Sequence, residues 1–393
     1  MNIWENISLL DYCLLGVMAV LLIAQLCYWM VLMAAPLRQF RRHPQWRQLI
    51  SKDEAQKAEE QSVEGVSVIV CARNEAANLR PYLQSLLEQK YPLYEVIVVN
   101  DGSQDATQEV LDEYVCRYPH LKLTFVPVEA RIISSKKLAL TLAVKAAKYD
   151  ILLLTDADCR PESANWITAM SEPFRNKDIE VVLGYSPYFS EHWWINDIIR
   201  YDTLFIGLHY LGRALMGYPY MGVGRNLAYR KSAFVRAHGF AGQLSFRAGD
   251  DDLLVNRLAT GKNTAVALSR DSLSWSVPKT CLKNWLQQKR RHLSVAPSYR
   301  FGTKLSLAVE PMTRGLFYLA LIMAFVFGSA FVTAAALAAL LLRLIVQLVV
   351  INRSAKAFGE RPFALDILWM DIIIPVLSLF FLSTTTDKQR SRW

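Results

Sequence analysis

The sequence predicts an α/β domain with an open, largely parallel sheet, carried between apolar helices at both ends of the chain. Three observations point there. Hydrophobic residues, 53% of the 393, collect at the two termini; the middle alternates β-branched runs with helix-like stretches; and acidic residues stand just past several of those runs. Ordinary globular chains are about 45–50% apolar, so the excess assigns part of this chain to lipid.

From the N-terminus, the run Leu9 to Ala35 is long enough to cross a bilayer, because a helix needs about 20 residues to span the hydrocarbon core. Glu5 and Asp11 lie at its start and Arg38, Arg41, Arg42 and Arg47 follow it, the reverse of a signal peptide's charge order. The same asymmetry predicts an external N-terminus and a cytoplasmic continuation. The formal charge of +9 comes mostly from residues beside the apolar segments, which argues for membrane lipids and against a nucleic-acid partner. Six widely spaced cysteines form no CxxC pair or Cys/His cluster and read as reduced and structural.

A polar linker, Ser51 to Glu64, leads into VSVIV, Val66 to Val70, a run of the kind buried in a parallel sheet. The pattern continues with a helix over 78–89, a strand ending at Asn100, the turn DGSQD, a helix over 107–117, a strand over 122–126, a helix over 136–148, a strand over 151–155, a helix over 165–174 and a strand over 181–185. Open sheets of this type bind ligands past the carboxyl ends of their strands, where this chain carries Glu75, Asp101 with Asp105, and Asp156 with Asp158. No glycine-rich phosphate loop follows any of these strands. Phosphate chemistry then calls for a metal, and two carboxylates flanking one alanine at the end of ILLLT suit Mg²⁺ or Mn²⁺. A lone pair of this kind reads as a solvated turn and a helix cap; the carboxylates after the earlier strands favour a ligand site.

Near the C-terminus, Gly315 to Ile351 is too long for one helix and is interrupted at Gly328 and Ser329, which predicts two helices joined by a tight turn. A third runs from Phe363 to Leu382. Four crossings leave the C-terminus outside, whereas Lys388, Arg390 and Arg392 prefer the inside, so the last segment, with Asp366, Asp371 and Pro375, also reads as an interfacial or re-entrant helix. Arg343 reads as a side chain that either snorkels or faces protein, with snorkelling preferred. The boundaries are then 1–37 for the anchor, 38–64 for the linker, 65–300 for a cytoplasmic domain and 301–393 for a membrane region of two to three helices, in a multi-pass protein of the cytoplasmic membrane.

Between Val66 and Ser294 seven stretches follow one another: VSVIVCARNEAANL, VIVVNDGSQDAT, KKLAL, LLLTDADCRP, GVGRNLAYRKSAF, AGDDDLLVNRL and QQKRRH. In these the chain resembles the family-2 glycosyltransferases of the GT-A fold, the inverting class that includes chitin, cellulose and hyaluronan synthases and many bacterial polysaccharide transferases. The resemblance implies a Rossmann-like mixed sheet flanked by helices, a nucleotide-sugar donor, a divalent metal, and a lipid-linked or saccharide acceptor. It implies that Ala72, Arg73, Asn74 and Glu75, with Asp101, hold base and ribose, and that Lys136 and Asp156 face the nucleotide sugar. Asp158 becomes the direct metal ligand. Asp251, the second acid of the family's G[ED]D stretch, becomes the general base, with Asp250 beside it; Gln288 and Arg291 contact diphosphate or acceptor. Gly222 and Gly224, with Arg225 and Asn226, are expected in a loop beside the donor sugar.

The chain departs from the family pattern at Asn100, where a second aspartate is common, at Ser135, where glycine precedes the lysine, and at His292, where QxxRW has tryptophan. The last departure weighs against a polymerase. Plainer readings stand beside these roles: Lys136 as a solvated lysine at a helix start, Asp252 as the acid at a helix N-terminus, Lys289 and Arg290 as the basic face of a helix on lipid, and the aromatic stretch Trp193 to Met216 as core. Three adjacent carboxylates also raise the proton affinity of at least one of them. The expected activity is inverting transfer of a sugar to a hydroxyl, the alternatives being a processive polysaccharide synthase or a catalytically silent membrane scaffold. A transporter is disfavoured by the large domain and the few charges in the apolar segments.

Overall fold

The computed structural model describes residues 8–42, 63–127, 135–241, 249–363 and 366–385. Nearly all of the expected linker, Arg47, and the basic tail residues Lys388, Arg390 and Arg392 lie outside them. Helix α1 (Leu9–Cys27) starts in a capping box in which Ser8 and Asp11 satisfy each other's backbone amides. It runs through a π-helical turn, Tyr28–Met33, into α2 (Ala35–Arg42). Arg38 closes the turn by donating to the carbonyls of Met30 and Val31 at 2.5 and 2.7 Å.

The domain opens with β1 (Val66–Ala72), α3 (Ala76–Leu87), β2 (Tyr94–Asn100), α4 (Thr107–Val115), β3 (Leu121–Phe125), α5 (Ser135–Ala146) and β4 (Ile151–Asp156). Val68, Val70, Val96, Val98 and Leu152 are fully buried, and each such side chain contributes about 1.5–3 kcal/mol. These four strands are parallel, and the register sets Ala72 beside Asn100 and Cys71 beside Asp156. The carboxyl ends of β1, β2 and β4 therefore meet at one edge.

Past β4 the simple alternation stops. A short β5 (Cys159–Pro161) precedes α6 (Trp166–Ser171), β6 (Val181–Leu183), the long α7 (Trp194–Leu215), β7 (Leu227–Arg230), α8 (Lys231–Arg236), α9 (Asp252–Leu258), β8 (Thr264–Val266) and β9 (Ser274–Ser276). The seven-stranded sheet has the order β3-β2-β1-β4-β7-β6-β8, with β7 antiparallel to both neighbours, and β5 pairs with β9 in a separate ribbon. The strand expected over 181–185 is β6; the other strands of three or four residues, β5 and β7 to β9, carry too short a pattern to be read from sequence.

The aromatic stretch after Trp193 forms α7, and Tyr201, Leu204, Leu208, Tyr210 and Leu211 are buried in the core. Its Tyr210 hydroxyl donates to the Gly184 carbonyl at 2.6 Å. On its other side Phe205 and His209 meet Trp29 and Tyr28 at ring-centroid distances of 5.9 and 6.0 Å. Gly212 permits this approach: a Cβ there falls 2.4 Å from the Leu32 carbonyl oxygen. Helix α7 thus joins the sheet to the N-terminal apolar helix.

Next come α10 (Leu282–Leu293), α11 (Phe301–Phe327), α12 (Ala330–Ala357) and α13 (Ile367–Thr385). Among the described residues, three helices are long and apolar enough to cross a membrane: Leu9–Arg41, Phe301–Phe327 and Ala330–Ala357. The break at Gly328 and Ser329 is where expected, with the Ser329 side chain capping α12 and its amide donating to Asp11 at 3.0 Å.

Arg343 does not snorkel. It is 0% exposed and donates to Asp371 at 2.7 and 3.2 Å, to Gln347 at 3.3 Å and to Gln25 at 3.2 Å. Arg314 meets the same carboxylate at 3.3 Å and Glu310 at 2.9 Å. The Tyr318 hydroxyl donates to Asp371 at 2.7 Å, and Gln347 reaches the Tyr201 hydroxyl of α7 at 3.0 Å. Two cations and two anions balance within a buried network joining α1, α7, α11, α12 and α13. Removing one partner leaves a charge without compensation, so Asp371→Leu is expected to lose about 3–5 kcal/mol. Chemical unfolding of the detergent-solubilised protein checks this, and a variant as stable as the parent overturns it.

Candidate active site

The edge formed by β1, β2 and β4 gathers the predicted carboxylates. Ala72 ends β1, and its carbonyl accepts the Asp101 amide at 2.8 Å. Asn74 takes a left-handed conformation, φ 56°, its amide donating to Ser103 at 3.0 Å and its side-chain oxygen accepting from the Gln104 amide at 2.8 Å. These bonds tie the two loops into one wall. Asp101 is 5% exposed; its Oδ2 faces Arg73 at 3.9 Å, while Oδ1 is buried with no partner among the described residues. A buried oxygen left without a donor costs about 1–3 kcal/mol, a deficit that a ligand N–H relieves. Asp105 is used locally, accepting from the Ala76 amide and from Thr107 at 3.2 and 2.5 Å.

Glu75 accepts from Asn78 at 2.6 Å, and burial, against that bond, pushes its carboxyl above the usual range, with Asp158 and Asp156 adding to the rise. Asp156 ends β4 and Asp158 lies in the turn before β5. Burial and then the Asp156 charge raise the proton affinity of Asp158, and among the described residues its Oδ1 accepts from Cys159 and Ser276, both at 3.4 Å. Among the described residues no three His, Cys, Asp or Glu side chains are placed to enclose an ion. Two carboxylates under electrostatic load, open on one side, nonetheless fit a divalent cation that completes its shell with phosphate oxygens and water.

Lys136 joins the two halves of the site. Its ammonium lies 3.1 Å from Asp156 and 3.2 Å from Asp250. Burial opposes its charge, but Asp156, Asp250 and Asp251 outweigh this and hold it well above the ordinary lysine value. Lys136, Asp156, Asp250, Gly224 and Thr155 line one small cavity.

In the acidic triplet Asp252 opens α9, as expected of the acid at the helix start. Asp251 is the N-cap of α9: its Oδ1 accepts the Asp252 amide at 2.8 Å, and its Oδ2 accepts the Gly224 amide at 2.8 Å. Burial and the Asp250 charge raise its proton affinity. Asp252 is buried beneath it, raised well above the carboxylate range by burial, Asp251 and Asp250, and hydrogen-bonded to Tyr299. Burial also pushes Asp250 up, but Lys136 outweighs it and leaves this carboxyl below the usual range. Asp250 is the member of the triplet that faces the cavity.

Arg225 stacks over the Tyr188 ring at 4.2 Å, with one terminal nitrogen buried and unpartnered among the described residues. Tyr188 in turn accepts from Gln288 of α10 at 3.3 Å. No periodicity marks Tyr188, which enters the site only through β6 and the loop behind it. Asn226 does not face the cleft: its amide oxygen accepts from Trp166 at 3.1 Å and its nitrogen donates to the carbonyls of Tyr185 and Ser272 at 2.8 and 2.7 Å. The bonds available to an amide are then largely used, so Asn226 supports the loop. Lys289 is likewise not on a lipid face, being buried against Asp202 at 2.5 Å. Arg291 and His292 are exposed on α10.

Residues 67–236 match the model for glycosyl transferase family 2. The chain is 34% identical over 102 residues to a poly-beta-1,6-N-acetyl-D-glucosamine synthase of Staphylococcus epidermidis, covering 26% of this chain and 24% of that protein. It is 30% identical over 144 residues to the probable glycosyltransferase YdaM of Bacillus subtilis, covering 35% and 31%. The matches thus span about a quarter to a third of these relatives' length. Among solved structures, the mannosyltransferase PcManGT from Pyrobaculum calidifontis, in complex with GDP-Man and Mn²⁺, is similar in fold, with a TM-score of 0.55 at 18% identity over 95% of this chain and 100% of that one. With its mixed sheet flanked by helices, the domain has the GT-A fold, and its stretch 67–236 is similar to glycosyl transferase family 2.

Proposed function

We propose that this chain moves a sugar, with inversion, from a nucleoside-diphosphate donor to a hydroxyl of a membrane-associated or saccharide acceptor, at the cytoplasmic face of a membrane. The observation that carries this reading is Lys136, which draws the strand-end acid Asp156 and the acid Asp250 of the distant AGDDD stretch into one cavity.

The unpartnered Asp101 oxygen takes an N–H of the base, with Arg73 and Glu75 nearby for the ribose. Asp158 and Asp156 would hold Mg²⁺ or Mn²⁺, and the ion would supply Lewis-acid neutralisation of the departing diphosphate. Arg225 and Lys136 add fixed positive charge on the same side, and Gln288 holds Tyr188 under Arg225. Asp250 accepts the acceptor's hydroxyl proton as that oxygen attacks C1; the bond from C1 to the diphosphate breaks, and its electron pair leaves with the nucleotide. Asp251, with both oxygens occupied by amides, fixes the Gly224 loop and the start of α9. This reading moves the base from Asp251 to the neighbour that lines the cavity.

A panel of nucleotide sugars with Mn²⁺ or Mg²⁺, scored for free nucleotide released by the detergent-solubilised full chain, tests the activity. One donor is expected to give metal-dependent release that a suitable acceptor accelerates; no release with any donor, in the presence of lipid and saccharide acceptors, sinks the proposal. Similarity to poly-beta-1,6-N-acetyl-D-glucosamine synthases supports a second reading, processive synthesis, which differs in giving a ladder of product lengths from one acceptor.

A further inference from the structure

The loop between α12 and α13 inserts a carboxyl group into the sheet domain. Glu360 is 5% exposed, and its Oε1 accepts the Tyr185 hydroxyl at 2.7 Å. Gly359, left-handed at φ 79°, turns the chain for this insertion, and Phe358 before it sets its ring 5.0 Å from that of Tyr185. Arg200 of α7, 0% exposed, braces the same loop: it donates to the Arg361 carbonyl at 2.6 Å and to Asp197 at 3.1 Å, and lies over the Phe363 ring at 4.9 Å. Its Nε stands 3.7 Å from the Glu360 Oε2, and neither atom has a hydrogen-bond partner among the described residues. A buried pair at that separation is a poor stabilising device, and apolar side chains of similar volume often do as well. What the carboxyl group supplies is an acceptor for the Tyr185 hydroxyl.

Tyr185 is joined to the candidate active site through its backbone. Its carbonyl accepts the Asn226 side-chain nitrogen at 2.8 Å, and the amide of the preceding Gly184 donates to the Asn226 carbonyl at 3.0 Å. Gly184 leaves no room for a side chain, since a Cβ there falls 2.5 Å from the Asn226 nitrogen. Asn226 is the next residue after Arg225, and Tyr188, whose ring lies 4.2 Å beneath the Arg225 guanidinium, follows Tyr185 by three residues. Both members of that stack therefore sit on segments that Tyr185 ties together. Burial pushes the Glu360 carboxyl up to about 7, against the Tyr185 bond and the Arg200 charge, so glutamine, an uncharged acceptor of the same shape, is a close substitute for it.

We infer that Glu360 is a positioning residue for sugar transfer: through Tyr185 and Asn226 it fixes the stack of Arg225 on Tyr188, so that a loop of the C-terminal apolar region sets a cation of the candidate active site. The effect on transfer rests on the function proposed above, whereas the link itself is read without any donor sugar. Hydrogen–deuterium exchange of the detergent-solubilised full chain is followed at residues 184–188 and 223–226, with the turn 101–104 as control. Glu360→Ala and Tyr185→Phe are expected to raise exchange at the first two segments by about 2- to 12-fold, the factor equivalent to one net hydrogen bond, with the control unchanged and Glu360→Gln close to the parent. With the donor the parent uses, the same two variants are expected to lower kcat by a similar factor with little change in KM, because the cation acts on charge that develops as the diphosphate leaves. The double variant should be no worse than the more affected single one, since both remove the same bond, and Glu360→Gln should retain the parental kcat. If Glu360→Ala does not fold, Tyr185→Phe, which removes one oxygen, decides. Parental exchange in the variants that fold, or a rise shared equally by the control turn, overturns the link. Raised exchange with unchanged kcat overturns its role in transfer. A parent chain inactive with every donor counts against the proposed function, and the exchange measurement still decides the link.

Discussion

Asp250→Asn is expected to lower kcat by about 10²–10⁴-fold, the usual contribution of a positioned proton acceptor, with little change in nucleotide affinity. The amide keeps the shape and a hydrogen bond but cannot take the acceptor's proton. Asp251→Asn is the control that gives the prediction its edge. Its amide oxygen still accepts one backbone N–H, so the Gly224 loop and the start of α9 survive in part, and a loss of about ten-fold or less is expected. Purified Asp250→Asn transferring at the parental rate, with Asp251→Asn inactive, returns the base to Asp251 and makes Asp250 a partner of Lys136 alone. Nucleotide binding, read separately, guards against loss of fold.

Asp158→Ala carries the second large effect. Asp158 is half-buried beside Asp156, and among the described residues its carboxylate has two weak donors, Cys159 and Ser276, so a divalent ion is the main relief for two carboxylates held together. Deleting one is expected to cost several kcal/mol of leaving-group stabilisation, at least about a hundred-fold in kcat/KM. Titration of the donor should lose its dependence on Mn²⁺ or Mg²⁺ in this variant, whereas the parent loses donor affinity when EDTA is added. Metal-dependent binding that persists in Asp158→Ala rules out this ligand assignment.

The sheet was legible where runs were long. VSVIV, EVIVVN and ILLLT announce β1, β2 and β4 because strands covered on both faces must be apolar throughout, and the acids at their ends follow from the rule that such sheets bind ligands there. β5 and β7 to β9 were illegible, since three or four residues hold too little pattern and their partners are distant in sequence. The same limit hid Tyr188 beneath Arg225 and gave Asn226 a ligand role when its amide is spent on Trp166, Tyr185 and Ser272.

The sequence by itself determined the class of the domain, the apolar segments and the carboxylates past the strand ends, because local hydrophobic pattern and residue chemistry are properties of neighbours along the chain. Only the tertiary structure decided which acid of Asp250, Asp251 and Asp252 faces the cavity, that Lys136 spans the two acidic clusters, that Lys289 is buried on Asp202, and that Arg343 is paired with Asp371 instead of reaching for the membrane surface. Each of these depends on which distant group desolvates or neutralises a charge, and the energy of a charge is set by what surrounds it in space.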